Sequence, residues 1–277
     1  MSRAPLPARI LCLWVTGIWI AGIAFGQTAP SDADRDKLLD SMRRYARVYV
    51  SNLPNFLCVQ ETEQFEGNAA GTHWHRGDTL TSRLIFQDGR EERTLELINN
   101  KAIKPGRKRW RAPLTTEGEF GILLDRVLGE GSPAEYHWHG WDAVRGRRVA
   151  VFDFCIDRDH STLSLTINEF AHATFGYHGS LYADPETGAI WRITDASDEL
   201  PRQLQTRSIS TAIDYDEIPI GDANYVLPTA AEVLVTTQST SIRNEIRFKN
   251  YRKFEADSTI TFGPAPAANT SKSQPQP

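Results

Sequence analysis

The chain of 277 residues has little cysteine, little methionine and no excess of positive charge. It contains 3 cysteines and 2 methionines, and its 31 Lys and Arg are outnumbered by 35 Asp and Glu, which gives a net charge of −4. A protein that neutralises a phosphate backbone needs basic residues in excess, so we expect no nucleic-acid partner. Beyond residue 26 no stretch is apolar enough to cross a bilayer, which predicts no transmembrane segment after the signal is removed.

The sequence also lacks the short motifs that mark common catalytic and cofactor sites. It contains no GxSxG nucleophile elbow, no HExxH zinc motif and no glycine-rich phosphate loop. We therefore expect a non-catalytic protein without a cofactor. A catalytic group of the hydrolase kind, assembled only in the folded chain, remains the alternative.

Residues 1–26 have the parts of a secretory signal peptide. Arg3 and Arg9 give a positive start, residues 10–25 carry no charge, and small residues precede Gln27, before which we expect cleavage. The apolar stretch has 16 residues, fewer than the ~20 that span a bilayer, and an uncleaved anchor is the alternative. The chain is expected to be exported, to the periplasm or else to the extracellular space.

The rest of the chain divides into one domain and a tail. Residues 27–263 contain no linker-like stretch, and a single β-rich domain of this size is within the known range. Residues 264–277 read PAPAANTSKSQPQP and contain no aromatic or large aliphatic side chain. Such a segment buries too little apolar surface to offset the entropy of ordering, so we expect a disordered, Pro-rich tail.

Two cysteines, Cys58 and Cys155, remain after signal cleavage. An even pair in an exported chain favours a disulfide. Two buried free thiols are the alternative.

Two segments have the periodicity of amphipathic helices. In the first, Ser31 is a candidate N-cap, apolar residues recur at helical spacing, and the helix is expected to end near Asn52, because Pro54 restricts the residue before it. In the second, residues 116–119 fit a capping box and Gly129 fits the C′ position. Its apolar stripe consists of Phe120, Leu123, Leu124, Val127 and Leu128.

Most of the remaining sequence alternates with the period of two that is typical of strands. Asp88-Gly89 is a strong hairpin signal, and residues 185–188 form a second turn signal between two alternating runs. We count about ten strands. The sequence therefore predicts a β-rich α+β fold in which an antiparallel, strongly curved sheet is covered by the two helices.

Two His-Trp-His triplets are candidate metal ligands. On a strand, residues i and i+2 point to the same side, so His73 with His75, and His137 with His139, could each present two imidazoles to one zinc or copper ion. The alternative is a pair of edge strands whose histidines face solvent and whose tryptophans turn inward. We expect no metal, with the four-histidine site as the alternative.

Three segments in the second half resemble one known superfamily. Residues 181–192 resemble its "hydrophobic–x–Asp–x–x–Thr–Gly–x–hydrophobic–x–Arg" hairpin, and residues 215–228, with Ile220-Gly221-Asp222, resemble its next pair of strands. Residues 244–254 match its closing strand loosely. The chain therefore resembles the LolA/LolB-like superfamily of periplasmic lipoprotein carriers, the outer-membrane lipoprotein-sorting proteins.

The resemblance implies an antiparallel half-barrel over residues 27–263 whose concave face is covered by helices and holds acyl chains. Leu84, Phe86, Phe120 and Leu124 are expected to line such a cavity, or else to fill the core. The expected function is that of an exported envelope protein that binds a lipid, an acylated protein or another apolar ligand. An envelope structural or interaction domain without a cavity, and the histidine-based metal protein, are the alternatives.

Overall fold

The computed structural model describes residues 29–103, 119–168 and 171–254. The predicted signal peptide, the predicted tail and the expected capping residues 116–118 lie outside these ranges. The helices are α1 (Asp32–Asn52) and α2 (Ile122–Leu128), with single 3-10 turns at Arg158–His160 and Arg202–Leu204. The strands are β1 (Phe56–Asn68), β2 (Trp74–Gln87), β3 (Arg90–Ile98), β4 (Lys101–Ala102), β5 (Glu135–Val144), β6 (Arg147–Ile156), β7 (Ser164–Asn168), β8 (Ala171–Thr174), β9 (Tyr177–Ala183), β10 (Ile190–Ser197), β11 (Thr206–Ile220), β12 (Ala223–Thr237) and β13 (Thr240–Lys253).

Eleven strands form one open antiparallel sheet. Their order is β4-β3-β2-β1-β13-β12-β11-β10-β9-β6-β5, and β7 and β8 form a separate hairpin. The predicted fold, an antiparallel half-barrel with an N-terminal helix and a short second helix, is confirmed. Within residues 29–103, 119–168 and 171–254, neither helix has the length and apolar character needed to cross a membrane.

The core lies between the sheet and the two helices. Across six neighbouring strands the register aligns one apolar row on the helix-covered face, which consists of Ile246, Ala231, Ile213, Ile193, Leu181 and Phe152. These side chains belong to one buried cluster with residues of α1 and α2. Burying a large aliphatic side chain stabilises the fold by about 1.5–3 kcal/mol. Burial of this row therefore stabilises the packing of the helices against the sheet.

Helix α1 begins and ends where the sequence predicts. The Ser31 side chain accepts a hydrogen bond from the Asp34 backbone N–H at 3.3 Å, and Asp32 and Asp34 lie in the first turn, where negative charge is favourable. Met42, Ala46 and Tyr49 form its buried face. This spacing of three to four residues turns one stripe of the helix towards the sheet.

Helix α2 is shorter than the apolar stripe suggests. Its N-cap is Gly121, so Phe120 lies just before the helix rather than within it. Gly129, expected at the C′ position, is instead the C-cap residue of the helix, with a φ of −63°, and it donates its N–H to the Asp125 carbonyl. The helix therefore ends at a glycine in the extended conformation.

The turn between β9 and β10 holds helix α1 in place. Asp184 accepts hydrogen bonds from the backbone N–H groups of Glu186 and Thr187 at 3.0 and 2.8 Å, which closes the predicted turn. Gly188 follows with a φ of +76°, and a Cβ there would lie 2.4 Å from the Ser41 carbonyl carbon of α1. Only glycine combines this φ with so close a contact, so the turn is the point against which α1 packs.

The predicted disulfide between Cys58 and Cys155 is wrong, because both cysteines are free. Cys58 lies on β1 in the core cluster, whereas Cys155 alternates to the opposite face of β6 and is partly exposed. Five strands separate β1 from β6, a distance along the sheet of roughly 29 Å at ~4.8 Å per strand. A disulfide requires Cα atoms within about 7 Å, which this sheet does not allow.

Candidate functional site

A cleft of about 840 Å³ opens beside the core, between α1, α2 and the β2–β3 hairpin. Its volume lies within the range of about 300–1,000 Å³ that is typical of small-molecule sites. The Asp88-Gly89 turn, with φ values of +52° and +75°, forms the predicted hairpin and brings β3 back along the cleft. Three separate parts of the chain therefore build one site.

The floor of the cleft is aromatic. Phe86 and Phe120 line it, and both pack against Phe56, with ring centroids 5.0 and 5.4 Å apart. Phe120 also meets the Phe248 ring edge-on at 5.3 Å and lies 6.4 Å from the Tyr251 ring. Because the Phe120 ring contacts several rings of the sheet, this side chain fixes the segment before α2 to the sheet.

The mouth of the cleft exposes aliphatic surface. Ile122, at the start of α2, is 47% exposed, and it stands beside Val50 of α1 in the lining. The two helices meet at Gly121, where φ is +126° and a Cβ would lie 2.4 Å from a Val50 methyl group. The exposed part of Ile122 is apolar surface that a ligand in the cleft would remove from water.

An ion pair network lies at the side of the cleft. Arg93 of β3 pairs with Glu119 at 3.2 Å and lies 3.6 Å from Glu91, and only 4% of the Glu119 side chain is exposed. The Glu119 carbonyl also accepts the Tyr215 hydroxyl at 3.1 Å, and burial holds the pKa of that phenol well above its usual range. These contacts tie the residue before Phe120 to both β3 and β11.

Three further arginines surround the cleft. Arg47 of α1, Arg90 at the start of β3 and Arg126 of α2 are exposed and belong to its lining. None of them forms an ion pair with any residue in the part of the chain that the structure describes. The lining as a whole has four arginines and two acids, Glu91 and Asp125, so it is locally positive on a protein of net charge −4.

The lining combines apolar side chains with charged ones. Its acids are Glu91 and Asp125, and its bases are all arginines. Apolar floor, apolar mouth and guanidinium groups suit a ligand with an apolar part and a polar part.

A mostly buried carboxyl group lies on the helix-covered face outside the cleft. Asp195 of β10 is the register partner of Thr211 on β11. Burial raises the pKa of Asp195 to about 6, and a hydrogen bond from Thr211 and the charge of Arg126 oppose that shift. This carboxyl group is therefore sensitive to pH in the neutral to mildly acidic range.

No protein-family model matches the sequence, and no curated protein matches it. A DUF1329 family protein from Desulfovibrio piger is similar in structure, with 11% identity and a TM-score of 0.38, over 84% of this chain and 96% of that one. A LolA superfamily protein from Nitrosomonas europaea has 7% identity and a TM-score of 0.30, over 79% and 93%. An outer-membrane lipoprotein-sorting protein domain from Vibrio parahaemolyticus has 10% identity and a TM-score of 0.32, over 79% and 92%.

A LolA superfamily protein is one of these structural neighbours. This superfamily is the one that the sequence resembles. Similarity at this level does not transfer a ligand from LolA-like proteins, so the function of this chain has to come from its own residues.

Of the four residues that were expected to line a cavity, two line the cleft and two do not. Leu84, Phe86, Phe120 and Leu124 are all buried in the core cluster, which is the filled-core alternative. Phe86 and Phe120 also line the cleft, whereas Leu84 and Leu124 do not. Their role in binding a ligand stays a prediction.

Sequence reasoning missed the arginines and the aliphatic mouth. Arg47, Arg90 and Arg126 lie on three elements, and no periodicity within one segment brings them together. A signal was present at Ile122, an apolar residue that lies off the buried stripe of α2.

The four histidines do not come together. Seven strands separate β2, with His75, from β5, with His137 and His139. β5 is an edge strand, as expected. β2 pairs with β3 only from Leu80 onward, so among the described residues the end that carries His75 is paired with β1 alone, and His75 is exposed. His139 instead contacts Asp153 at 2.8 Å, and within the described ranges no group of three or more His, Cys, Asp or Glu has metal-binding geometry.

Proposed function

We propose that this chain is an exported, non-catalytic envelope protein that binds an acylated or other apolar ligand in the cleft between α1, α2 and the β2–β3 hairpin. The observation that carries this proposal is the combination of an aromatic floor with an exposed aliphatic mouth. Export is supported by the predicted signal peptide in residues 1–26. The periplasm is the compartment we propose.

The filled core supports the cleft as the binding site rather than the centre of the half-barrel. Leu84 and Leu124 are packed between sheet and helices and leave no space for a chain among the described residues around them. At the cleft, by contrast, open volume lies next to Phe86 and Phe120, which are themselves 1–2% exposed, and Ile122 supplies the accessible apolar surface. A ligand can enter there without displacing a core side chain.

The burial of Ile122 gives the proposal its energetic basis. The exposed part of the Ile122 side chain contributes roughly 1 kcal/mol when it is removed from water, and the partly buried Val50 beside it adds to this. An acyl chain of ten to twelve carbons gains about 0.8 kcal/mol for each buried methylene, or roughly 8–10 kcal/mol in all. After an association cost of at least about 4 kcal/mol, this leaves a dissociation constant on the order of 0.1 mM.

The first test is native mass spectrometry of residues 27–277 purified without detergent, together with binding of the uncharged fluorescent probe N-phenyl-1-naphthylamine. We expect a co-purifying mass in the lipid range and saturable probe binding. Ile122→Gln should weaken probe binding about three- to tenfold, because it places an amide at the apolar mouth.

Val48→Gln is the matched control. Val48 is 44% exposed on α1 and is not part of the cleft lining, so its replacement should leave probe binding unchanged. Equal effects of the two substitutions would contradict a site at the cleft. No bound mass and no probe binding would contradict the proposed function and favour an envelope interaction domain.

A further inference from the structure

The lining of the cleft combines an apolar floor with cationic groups around it. Arg47, Arg90 and Arg126 come from α1, β3 and α2, and only the folded chain brings them to the same opening. They make no ion pair within the described residues, in contrast to Arg93, which is paired with Glu119. We refer to these three residues as the arginine rim.

The charge of the lining is not balanced by its own acids. Glu91 lies 3.6 Å from Arg93 and within the same ion pair network, so Asp125 is the remaining acid of the lining. Asp195, outside the lining, interacts electrostatically with Arg126. Exposed guanidinium groups of one sign around a cleft repel one another and attract an anion. Arginine also binds carboxylate and phosphate oxygens through paired N–H donors, which gives stronger contacts than neutral groups do.

We infer that the cleft takes a single-chain amphiphile with an anionic head group, whose acyl chain lies on the aromatic floor and whose carboxylate or phosphate is bound by the arginine rim. This inference rests on the proposed function and names its ligand class. A neutral ligand would use Phe86, Phe120 and Ile122, but its head group would make no ion pair with the arginine rim. A cationic amphiphile would place like charges together.

The experiment compares dodecanoate, dodecanol and dodecylamine, which share one chain and differ in head-group charge, by displacement of N-phenyl-1-naphthylamine at pH 8 below their critical micelle concentrations. We expect dodecanoate to bind about tenfold more tightly than dodecanol, as a charge-assisted hydrogen bond provides. Dodecylamine should bind more weakly than dodecanol. Acetate at the same concentration should not displace the probe, because it lacks the chain.

The arginine rim is tested by the variant Arg47→Gln/Arg90→Gln/Arg126→Gln. In this variant the ratio of dodecanoate to dodecanol affinity should fall from about ten to about one, with dodecanol binding unchanged. Raising the salt concentration should reduce the ratio in the unmodified protein, since exposed charges are screened.

The matched control removes three positive charges elsewhere. Arg202, Arg207 and Arg252 are exposed, lie outside the cleft lining and make no ion pair among the described residues, so Arg202→Gln/Arg207→Gln/Arg252→Gln should keep the ratio. The inference is overturned if this control lowers the ratio as much as the rim variant does, or if all three dodecyl compounds bind equally. If none of them binds, the proposed function itself fails.

Discussion

Replacing Phe120 with alanine is expected to destabilise the protein and to enlarge the cleft at the same time. The Phe120 side chain is 1% exposed, and its ring lies within 6.4 Å of four other rings, those of Phe56, Phe86, Phe248 and Tyr251. Deleting a buried phenylalanine side chain costs about 3–5 kcal/mol. Each aromatic pair adds about 0.5–1.5 kcal/mol beyond its area, so we expect a loss near 5 kcal/mol.

Phe154 provides the matched comparison. It is also 1% exposed but lies outside the cleft lining, and among the described residues its ring pairs with Tyr177 alone, at 6.1 Å. Phe154→Ala should cost about 3–4 kcal/mol. Urea unfolding followed by tryptophan fluorescence measures both losses, and Phe120→Leu, expected to cost about 1–2 kcal/mol, serves where Phe120→Ala does not fold.

The two variants should differ most in ligand preference. Phe120→Ala opens space in the floor of the cleft and should shift binding towards longer alcohols, from dodecanol to hexadecanol, whereas Phe154→Ala should not. A loss below about 1 kcal/mol in Phe120→Ala would refute the reasoning that the aromatic cluster holds this segment. The same shift in both variants would refute the position of the cleft.

Three further outcomes are expected. Gly121→Ala should cost about 2–4 kcal/mol in equilibrium unfolding, because φ is +126° and the new methyl group would lie 2.4 Å from Val50. The pKa of Asp195, raised to about 6 by burial, lies above its value in the unfolded chain, so the contribution of this group to stability is complete below about pH 4 and is lost as the pH rises through 6. Asp195→Asn should abolish that fall and be about 2 kcal/mol more stable at pH 7, measured by urea unfolding from pH 4 to 7. In native protein the partly exposed Cys155 should react with a thiol reagent, while Cys58, whose pKa burial raises to about 12, should react only after unfolding.

A specific result would contradict each of these three predictions. Gly121→Ala with unchanged stability would mean that α1 and α2 shift apart at no cost. A stability profile of Asp195→Asn that still falls between pH 4 and 6 would assign the pH dependence to another group. If the unfolded protein showed no reactive thiol in the absence of reductant, Cys58 and Cys155 would have to form a disulfide.

The parts of the fold that sequence predicted are those with local causes. Ser31 caps α1, Pro54 follows its end, and Asp88-Gly89 supplies the two left-handed residues of a tight hairpin, all within a few positions. The prediction of a half-barrel rested on the resemblance of short turn motifs to those of a known superfamily. The structure assigns one of them a packing role, because Gly188 touches α1.

The parts that sequence did not predict depend on distant pairings. Alternation shows that Cys58 and Cys155 lie on strands but not which face of the sheet each occupies or how many strands separate them. The arginine rim likewise exists only once α1, β3 and α2 meet. A positive cluster formed from three elements leaves no pattern in any of them.

The pairing of β1 with β13 determines the order in which the sheet can be completed. Phe56 is the register partner of Lys253, so the centre of the sheet is closed by strands from opposite ends of the described chain. The hairpins β2–β3, β5–β6 and β11–β12 can form as soon as their own residues are made, but β1 and β12 keep an unpaired edge until β13 is available. Unpaired edges recruit other strands. A chain that ends before β13 would therefore expose the edges of β1 and β12 and should associate with other chains more readily than the full chain.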